Sequence, residues 1–588
     1  MILKDFPAVE KAGEVVINCN SCINNASLSN KECIDCISKK LSSDSERLVL
    51  IKGAFKKVYN NPREDKQLPA IMPSFIKSRL INFSDSFKTI EEYSVKGAKV
   101  SLKSNGIMII YCIDPHEMHL SKDDIIKTSA IIKKLQNKEL VNLNFKKSIN
   151  KFLAKEPISS ELKEVVYRHT LGFGLIDILF NDDKIQDVFV DSPGNKLVHI
   201  VHSKYNECLT NLVISKRDVL SIGTKVRAVS GRPFDESFPV INYDLDDYDL
   251  RVCGICEPLT FNGTGYAFRK HKKSPWTIPE FVANEMISAE AAGLISFLVD
   301  GQASILITGP RGSGKTAILS ALVTEVPRNS RILLIEDTPE LPVDNLENAG
   351  FKIQHVRIKS SFRDDDNYEL NAEQALRTSL RLGESVLVMG EVRGSEAKAL
   401  FEAMRVGAAG NTVIGTIHGS SAYDTYDRVV NDLSVPKSSF KATDIIISCA
   451  NLRIGESLSR LRRVTSIVEV KKEWVNDPLS EGGFFELTKF DRKKMKLSLS
   501  SELEQSSLIA RLSELKGMGT EESIKSIKLR GQAKELMAKL KVSNDPSFTA
   551  RSNDKLRELL SSDYRTVLKK FRNWLLSEKQ ENTHSLKK

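Results

Sequence analysis

The sequence predicts an α/β fold, and three observations point to it. The apolar run Ser304-Ile305-Leu306-Ile307 leads directly into Gly309-Pro310-Arg311-Gly312-Ser313-Gly314-Lys315-Thr316, and helical spacing follows from Lys315 to about Val323. Three later apolar runs, Arg331 to Ile335, Ser385 to Met389 and Thr412 to Thr416, each end in polar residues. Continuous apolar strands alternating with helical segments are what a parallel sheet covered on both faces requires. In such sheets ligands collect beyond the C-terminal ends of the strands, where each of these runs delivers its polar groups.

The elements follow in chain order. Cys19-x2-Cys22 and Cys33-x2-Cys36 have the spacing of two thiolate knuckles around one Zn²⁺. An iron–sulfur cluster and ordinary thiols are the competing readings, and residues 1 to 60 are expected to form a zinc-binding module with these four cysteines as ligands. Asn61-Pro62 and Pro69 mark a linker into an α+β extension over 61 to 155. There Lys99 to Asp114 reads as a hairpin turning at Asn105-Gly106, followed by helical spacing from about Asp123 to Phe152. A second α+β domain is expected over 156 to 275, with strands near Asp187 to Asp191, Leu197 to His202 and Asp249 to Cys253. Cys253-x2-Cys256 lies in strand-like sequence that sends the two thiols to opposite faces, so packing is the reading there. Cys112, Cys208 and Cys449 stand singly among apolar residues and read as inert.

Pro275 and Pro279 bracket a linker into the phosphate-loop domain, 276 to 500. Its glycines let backbone N–H groups converge on a polyphosphate, and the following helix points its positive end at the same anion. Gly309, Pro310, Arg311, Gly312, Ser313, Gly314, Lys315, Thr316 and Ala317 are the nucleotide-binding set. Lys315 is expected on the β- and γ-phosphates, with Thr316 on Mg²⁺. Glu336 and Asp337 end one strand and Glu391 another; such carboxylates hold Mg²⁺ through water or polarise the attacking water. His418 ends the third, placed to sense the γ-phosphate or to cap a loop. Residues 501 to 588 read as a charged helical extension broken at Gly517, Gly519 and Pro546. Within it Tyr564, Val567, Leu568, Phe571, Trp574 and Leu575 share a helix face, with Arg565, Lys569, Lys570 and Arg572 between them. That face suits a membrane surface, a partner, or packing on its own protein.

Composition narrows the class. Apolar and charged fractions of 41% and 28% are those of ordinary globular protein. No apolar run approaches membrane-spanning length, and a cytoplasmic chain, at most peripheral to the membrane face, is expected. A net charge of +10 leaves nucleic acid or anionic lipid open as partners, but the charges are interspersed.

Four motifs in order resemble the type II/IV secretion superfamily of traffic ATPases (GspE-like), and specifically its archaeal branch. They are the phosphate loop; Ile335-Glu336-Asp337-Thr338-Pro339-Glu340-Leu341, similar to the Asp box; Val386 to Glu396, similar to the Walker B segment, with Gly390 where other phosphate-loop enzymes place aspartate; and Gly415-Thr416-Ile417-His418-Gly419-Ser420, similar to the His box. The resemblance covers roughly 160 to 475. It implies a RecA-like domain preceded by a mixed α+β N-terminal domain, and a homo-hexameric ring that hydrolyses ATP with Mg²⁺. It further implies work on a type IV pilus-like filament or on secretion, through a polytopic membrane protein. Gly231 to Asp235 with Arg251 and Arg269 resemble the family's N-terminal domain, where the matching arginines act on the nucleotide. Glu336 is then the water-activating base and Glu391 the support of metal or water, with the two roles exchangeable. Gly410-Asn411 departs from the Gly-His of many relatives. A nucleic-acid translocase and a regulatory ring member without turnover are the competing classes; the Asp and His boxes disfavour the first, and intact Lys315, Glu336 and Glu391 the second.

Overall fold

The computed structural model describes residues 8–11, 14–17, 75–83, 86–136, 152–191, 193–194, 196–245, 248–272, 274–358, 372–380, 386–394, 396–406, 412–453, 460–542, 544–561 and 564–585. The four cysteines at 19, 22, 33 and 36 lie outside these residues. Two compact units divide the chain, Met1–Lys270 and His271–Lys588.

The first unit carries a nine-stranded sheet in the spatial order Val240–Leu245, Leu250–Ile255, Gly265–Lys270, Ile185–Val190, His199–His202, Asn206–Thr210, Ile109–Pro115, Ala98–Ser104, Lys88–Val95. Neighbours run antiparallel except Ile109–Pro115 against Asn206–Thr210, where Ile110 pairs with Leu209 and Tyr111 with Thr210. This short parallel contact fuses the two regions that the sequence pattern separates near residue 155. One core lies across the join, with Leu102 and Tyr111 packed among Leu179, Val188, Ile200 and Phe268. The turn at Asn105-Gly106 is present: Asn105 Oδ1 accepts from the N–H of Ile107 and Met108, and Gly106 takes φ 89°. The helix read from about Asp123 is Lys122–Gln136; residues 137–151 fall outside the described set. Glu117, fully buried, is held by Arg168 Nη1 at 2.7 Å and faces His169 Nε2 at 3.1 Å. Burial alone raises its pKa, but the His169 and Arg168 contacts outweigh that and bring it down to about 2.

The second unit has an eight-stranded sheet ordered Lys352–Arg357, Arg331–Glu336, Val386–Val392, Val413–His418, Ile305–Gly309, Ile445–Arg453, Arg460–Val470, Phe484–Glu486. The first six are parallel and the last two antiparallel. Alternation divides each buried strand between two cores: Ile305, Ile307, Leu334 and Val388 enter one, and Leu306, Leu333, Leu387 and Met389 the other. Helices Ala289–Asp300 and Lys315–Val323 fill the first core, and Glu396–Val406 the second. Both faces are therefore dry, which explains strands that are apolar throughout.

Helices Ser507–Leu515, Thr520–Lys539, Pro546–Leu560 and Tyr564–Ser585 follow. They do not form an appendage. Leu508, Ile509, Leu512, Ile527 and Ala550 belong to the same core as the phosphate-loop strand. Thr520–Lys539 crosses Ala289–Asp300 backbone to backbone: a Cβ on Gly293 would stand 2.1 Å from Ile527 O, and one on Gly531 would stand 2.5 Å from Ala289 O. Val567, Phe571 and Leu575 are fully buried in a satellite core with Ala533, Met537 and Phe548. Of the three readings of that amphipathic face, packing on its own protein is the one realised.

Candidate functional site: a phosphate loop and its carboxylates

The site forms where four parallel strands end together. Ile305–Gly309 delivers the phosphate loop, whose Gly312 and Gly314 take φ of 77° and 97°, left-handed backbone that glycine adopts without strain. Gly314 caps the helix Lys315–Val323, so the helix's free N–H groups open into the loop. Ser313 Oγ donates to Pro310 O at 2.8 Å and lies 3.3 Å from Cys449 Sγ, so a cysteine that reads as an isolated apolar residue is packed beneath the loop.

Lys315 is buried, at 8% exposure. Its ammonium donates to the carbonyls of Gly309 at 3.0 Å and Pro310 at 3.1 Å, and to His418 Nδ1 at 3.3 Å. Among the described residues no carboxylate lies within ion-pair distance of it. Burial depresses its pKa, and Glu391 opposes that from farther away. A buried cation held only by neutral partners at a helix N-terminus fits a polyphosphate, which would supply the missing negative charge.

His418 links this lysine to Glu391. Since Nδ1 accepts from Lys315, the ring proton belongs on Nε2, which stands 2.7 Å from Glu391 Oε1, outside hydrogen-bond alignment. Burial, then the Lys315 charge, push its pKa down, so the ring is neutral at pH 7. Glu391 Oε2 accepts from Arg393 Nε at 2.8 Å, and Arg393 Nη1 reaches Asp337 Oδ2 at 2.9 Å. Burial would lower the Arg393 pKa, but Glu391 and Asp337 more than reverse this and raise it. Lys315, His418, Glu391, Arg393 and Asp337 thus form one chain of contacts across the strand ends. A bulge aims it: Met389 pairs with Gly415 and Val392 with Ile417, so Gly390 and Glu391 together oppose Thr416.

Glu336 is nearly buried, at 2% exposure. Its Oε1 accepts from the N–H of Glu340 at 3.0 Å and Leu341 at 3.2 Å, and Oε2 lies 3.1 Å from His355 Nε2 without hydrogen-bond alignment. Gly390 makes this possible, since a Cβ there would stand 2.9 Å from Glu336 Cγ. The glycine in the Walker B-like segment is therefore space for a carboxylate from the next strand.

Sequence patterns missed three contributors. Arg393 stands inside a quoted motif, but nothing local shows that it bridges two acids. Arg462 Nε donates to Gly312 O at 3.0 Å from a strand 150 residues away, and His355 reaches Glu336 only through the pairing of adjacent parallel strands. Gly410 and Asn411 lie outside the described residues. Thr316 opens the helix at the loop, half-buried. Arg251 and Arg269 belong to the first unit, in a cross-strand row that reads Asp244, Arg251, Arg269, Asp187 over four strands. Arg269 Nε pairs with Asp187 Oδ1 at 2.8 Å.

Residues 185–462 match the family described as Type II/IV secretion system protein. An uncharacterized protein of Methanocaldococcus jannaschii is 30% identical over 259 residues, which are 43% of this chain and 35% of that protein. The type IV secretion system protein VirB11 of Brucella suis is 25% identical over 272 residues, 42% of this chain and 73% of that one. The Legionella pneumophila ATPase DotB aligns with a TM-score of 0.36 at 13% identity, covering 61% of this chain and 89% of that chain. The chain spans 35% and 54% of the length of the first two curated relatives it matches. The domain at residues 185–462 belongs to the type II/IV secretion superfamily.

Proposed function

We propose that the chain is an ATPase motor, a RecA-like domain with an α+β N-terminal domain, working as a homo-hexamer with Mg²⁺. Its hydrolysis of ATP powers assembly of a type IV pilus-like filament or protein secretion through a polytopic membrane protein. The observation that carries this reading is Lys315, buried in a phosphate loop with neutral partners only and joined through His418 to Glu391. The family match of residues 185–462, and the similarity to VirB11, a type IV secretion system protein of Brucella suis, support the choice of process. Among the described residues no helix is long and apolar enough to cross a membrane.

The nucleotide would be held by Gly309, Pro310, Arg311, Gly312, Ser313, Gly314, Lys315, Thr316 and Ala317, and Mg²⁺ by the Thr316 hydroxyl and, through water, Glu391. Oxygen donors suit this hard cation, which when bound neutralises phosphate charge. Glu336 takes the proton of the attacking water, with one oxygen fixed by two backbone N–H groups and the other held beside His355. His418 reports on the γ-phosphate by exchanging its contact with Lys315. Arg251 and Arg269 are the additional cations for the charge that develops in the transition state. The cysteines at 19, 22, 33 and 36 would hold one structural Zn²⁺, two thiolate doublets being the donor set such a site takes.

Phosphate release by the assembled full chain at saturating ATP tests this. The expected result is turnover abolished in Glu336→Gln, very slow in Glu391→Gln with ATP affinity kept, and sharply reduced in Arg251→Ala and Arg269→Ala. A supplied arginine is worth on the order of 10³ to 10⁵ in rate, and its loss lowers turnover more than affinity. Wild-type release in all four variants would overturn the assignment, and an N-terminal fragment without zinc would remove the metal from it.

A further inference from the structure

A cavity of about 700 Å³ opens in the second unit. That is the size range of sites for small organic ligands, roughly 300 to 1,000 Å³. Met286, Val464, Phe490 and Leu497 supply an apolar wall, and Arg463, Lys496 and Lys541 supply positive charge. Lys539 also lines it, but is matched by Glu535 at 2.7 Å.

Arg463 is the telling residue. It is 8% exposed, yet its Nε has no hydrogen-bond partner among the described residues. Of its terminal nitrogens, Nη1 donates to Arg462 O at 3.1 Å and Nη2 stands 3.5 Å from Glu285, a carboxylate 69% exposed. A buried guanidinium whose Nε makes no bond, and whose ion-pair partner Glu285 on the same cavity wall is largely solvated, is costly unless a further acceptor completes it. The walls of the cavity also touch the phosphate loop. The Met286 methyl stands 3.0 Å from where a Cβ on Gly314 would lie, and Arg462, next to Arg463, donates to Gly312 O. Val464 N–H bonds Met286 O at 2.9 Å and ties the two walls together.

We propose that this cavity is a second ligand site beside the phosphate loop, for a small anion with an apolar body whose phosphate or carboxylate pairs with Arg463 and Lys496. Its occupant shifts the loop through Met286 and Arg462 and so alters nucleotide affinity. The cavity itself does not depend on the ATPase reading; only the coupling does.

The test titrates the full chain with 8-anilinonaphthalene-1-sulfonate, an aromatic anion of suitable size, in saturating ADP and Mg²⁺. One saturable dye site per chain is expected, weakened tenfold or more in Arg463→Met, partly restored in Arg463→Lys, and weakened severalfold in Lys496→Glu. The last variant alters an exposed rim residue and keeps the test decisive if Arg463→Met fails to fold. Dye should change ADP affinity several-fold, within the usual range of coupling between sites, about 5- to 150-fold. Displacement of dye by AMP would mark a free phosphorylated small molecule as the occupant, and displacement by phosphatidylglycerol vesicles a lipid headgroup. Displacement by neither overturns the proposal, as does unchanged dye affinity in the folded Arg463 and Lys496 variants. One-for-one displacement by ADP would make the cavity part of the nucleotide site and overturn it too. If the chain lacks ATPase activity, the dye stoichiometry is unaffected and only the coupling arm falls silent.

Discussion

Among its described residues the second unit buries two lysines, and they are treated in opposite ways. Lys534 is fully buried, and its ammonium meets both oxygens of Glu325, at 2.6 and 2.8 Å, and the Asn553 amide oxygen. Asn553 in turn donates to Thr324 O at 2.8 Å. Every bond that lysine can donate is filled, and the lysine and its two partners come from three separate helices or their ends. Lys315 has two carbonyls and an imidazole, and no carboxylate within ion-pair distance among the described residues. A buried charge matched by a counter-charge locks structure, whereas one with neutral partners alone costs stability and is kept where a ligand completes it. Only eight residues separate Lys315 from Thr324, so the helix that begins at the lysine without a counter-charge ends beside Glu325, the counter-charge of the other.

The contrast can be broken by exchanging effects between the two sites. Lys315→Ala should reduce phosphate release to background, a loss of at least about 10²- to 10³-fold as for other preorganised charge donors, while the melting temperature stays level or rises. A large fall in melting temperature would show that Lys315 is structural after all. Lys534→Ala should do the reverse. Leaving Glu325 unpaired costs about 3 to 5 kcal/mol, read by denaturant unfolding, and the double variant Glu325→Leu with Lys534→Met should recover most of it. A double variant no better than the single would mean that the pair itself is a net stabiliser.

A smaller effect is expected where Thr520–Lys539 crosses Ala289–Asp300. Gly531→Ala forces two backbones apart and should cost about 1 to 3 kcal/mol, with kcat reduced less than stability. Gly390→Ala should act the other way, lowering kcat several-fold through the displaced Glu336 while stability changes little. Equal losses in both variants would erase the distinction between the two regions. The smallest effect concerns pH. The folded His418 has a depressed pKa, so as pH falls through its ordinary value of about 6.5 the unfolded chain takes up a proton that the folded one resists. Stability should therefore decline slightly as pH drops from 7.5 to 5.5, and the decline should be shallower in His418→Asn. The ring is partly exposed, which keeps this term small.

Much of the site was legible from local sequence because its parts are local. A glycine loop needs its strand before it and its helix after it, and both are covalently adjacent, so Lys315 and Thr316 could be placed by reading alone. Strand-terminal polar groups, Glu336, Asp337, Glu391 and His418, were legible for a similar reason: an apolar run buried on both faces must end where the sheet ends, and the first polar residue sits there. The breaks at Gly517, Gly519 and Pro546 are local too; Gly517 takes φ 64°, Gly519 caps the next helix, and Pro546 opens the one after.

What the tertiary structure decided is which distant pieces meet. Strand order follows from burial across the whole sheet, so nothing near Glu336 announces His355 or the space at Gly390, and nothing near Gly312 announces Arg462. The parallel contact at Ile110 and Leu209, which makes one sheet of two expected regions, involves two residue pairs out of a nine-stranded sheet. Helical periodicity showed that Val567, Phe571 and Leu575 share a face, but an apolar stripe specifies only that something covers it. That the cover is the protein's own helices, held by Gly293 against Gly531 and by Lys534 against Glu325, is a fact of packing. Close approach and charge pairing act through space, and sequence records them only as a glycine and a lysine like any others.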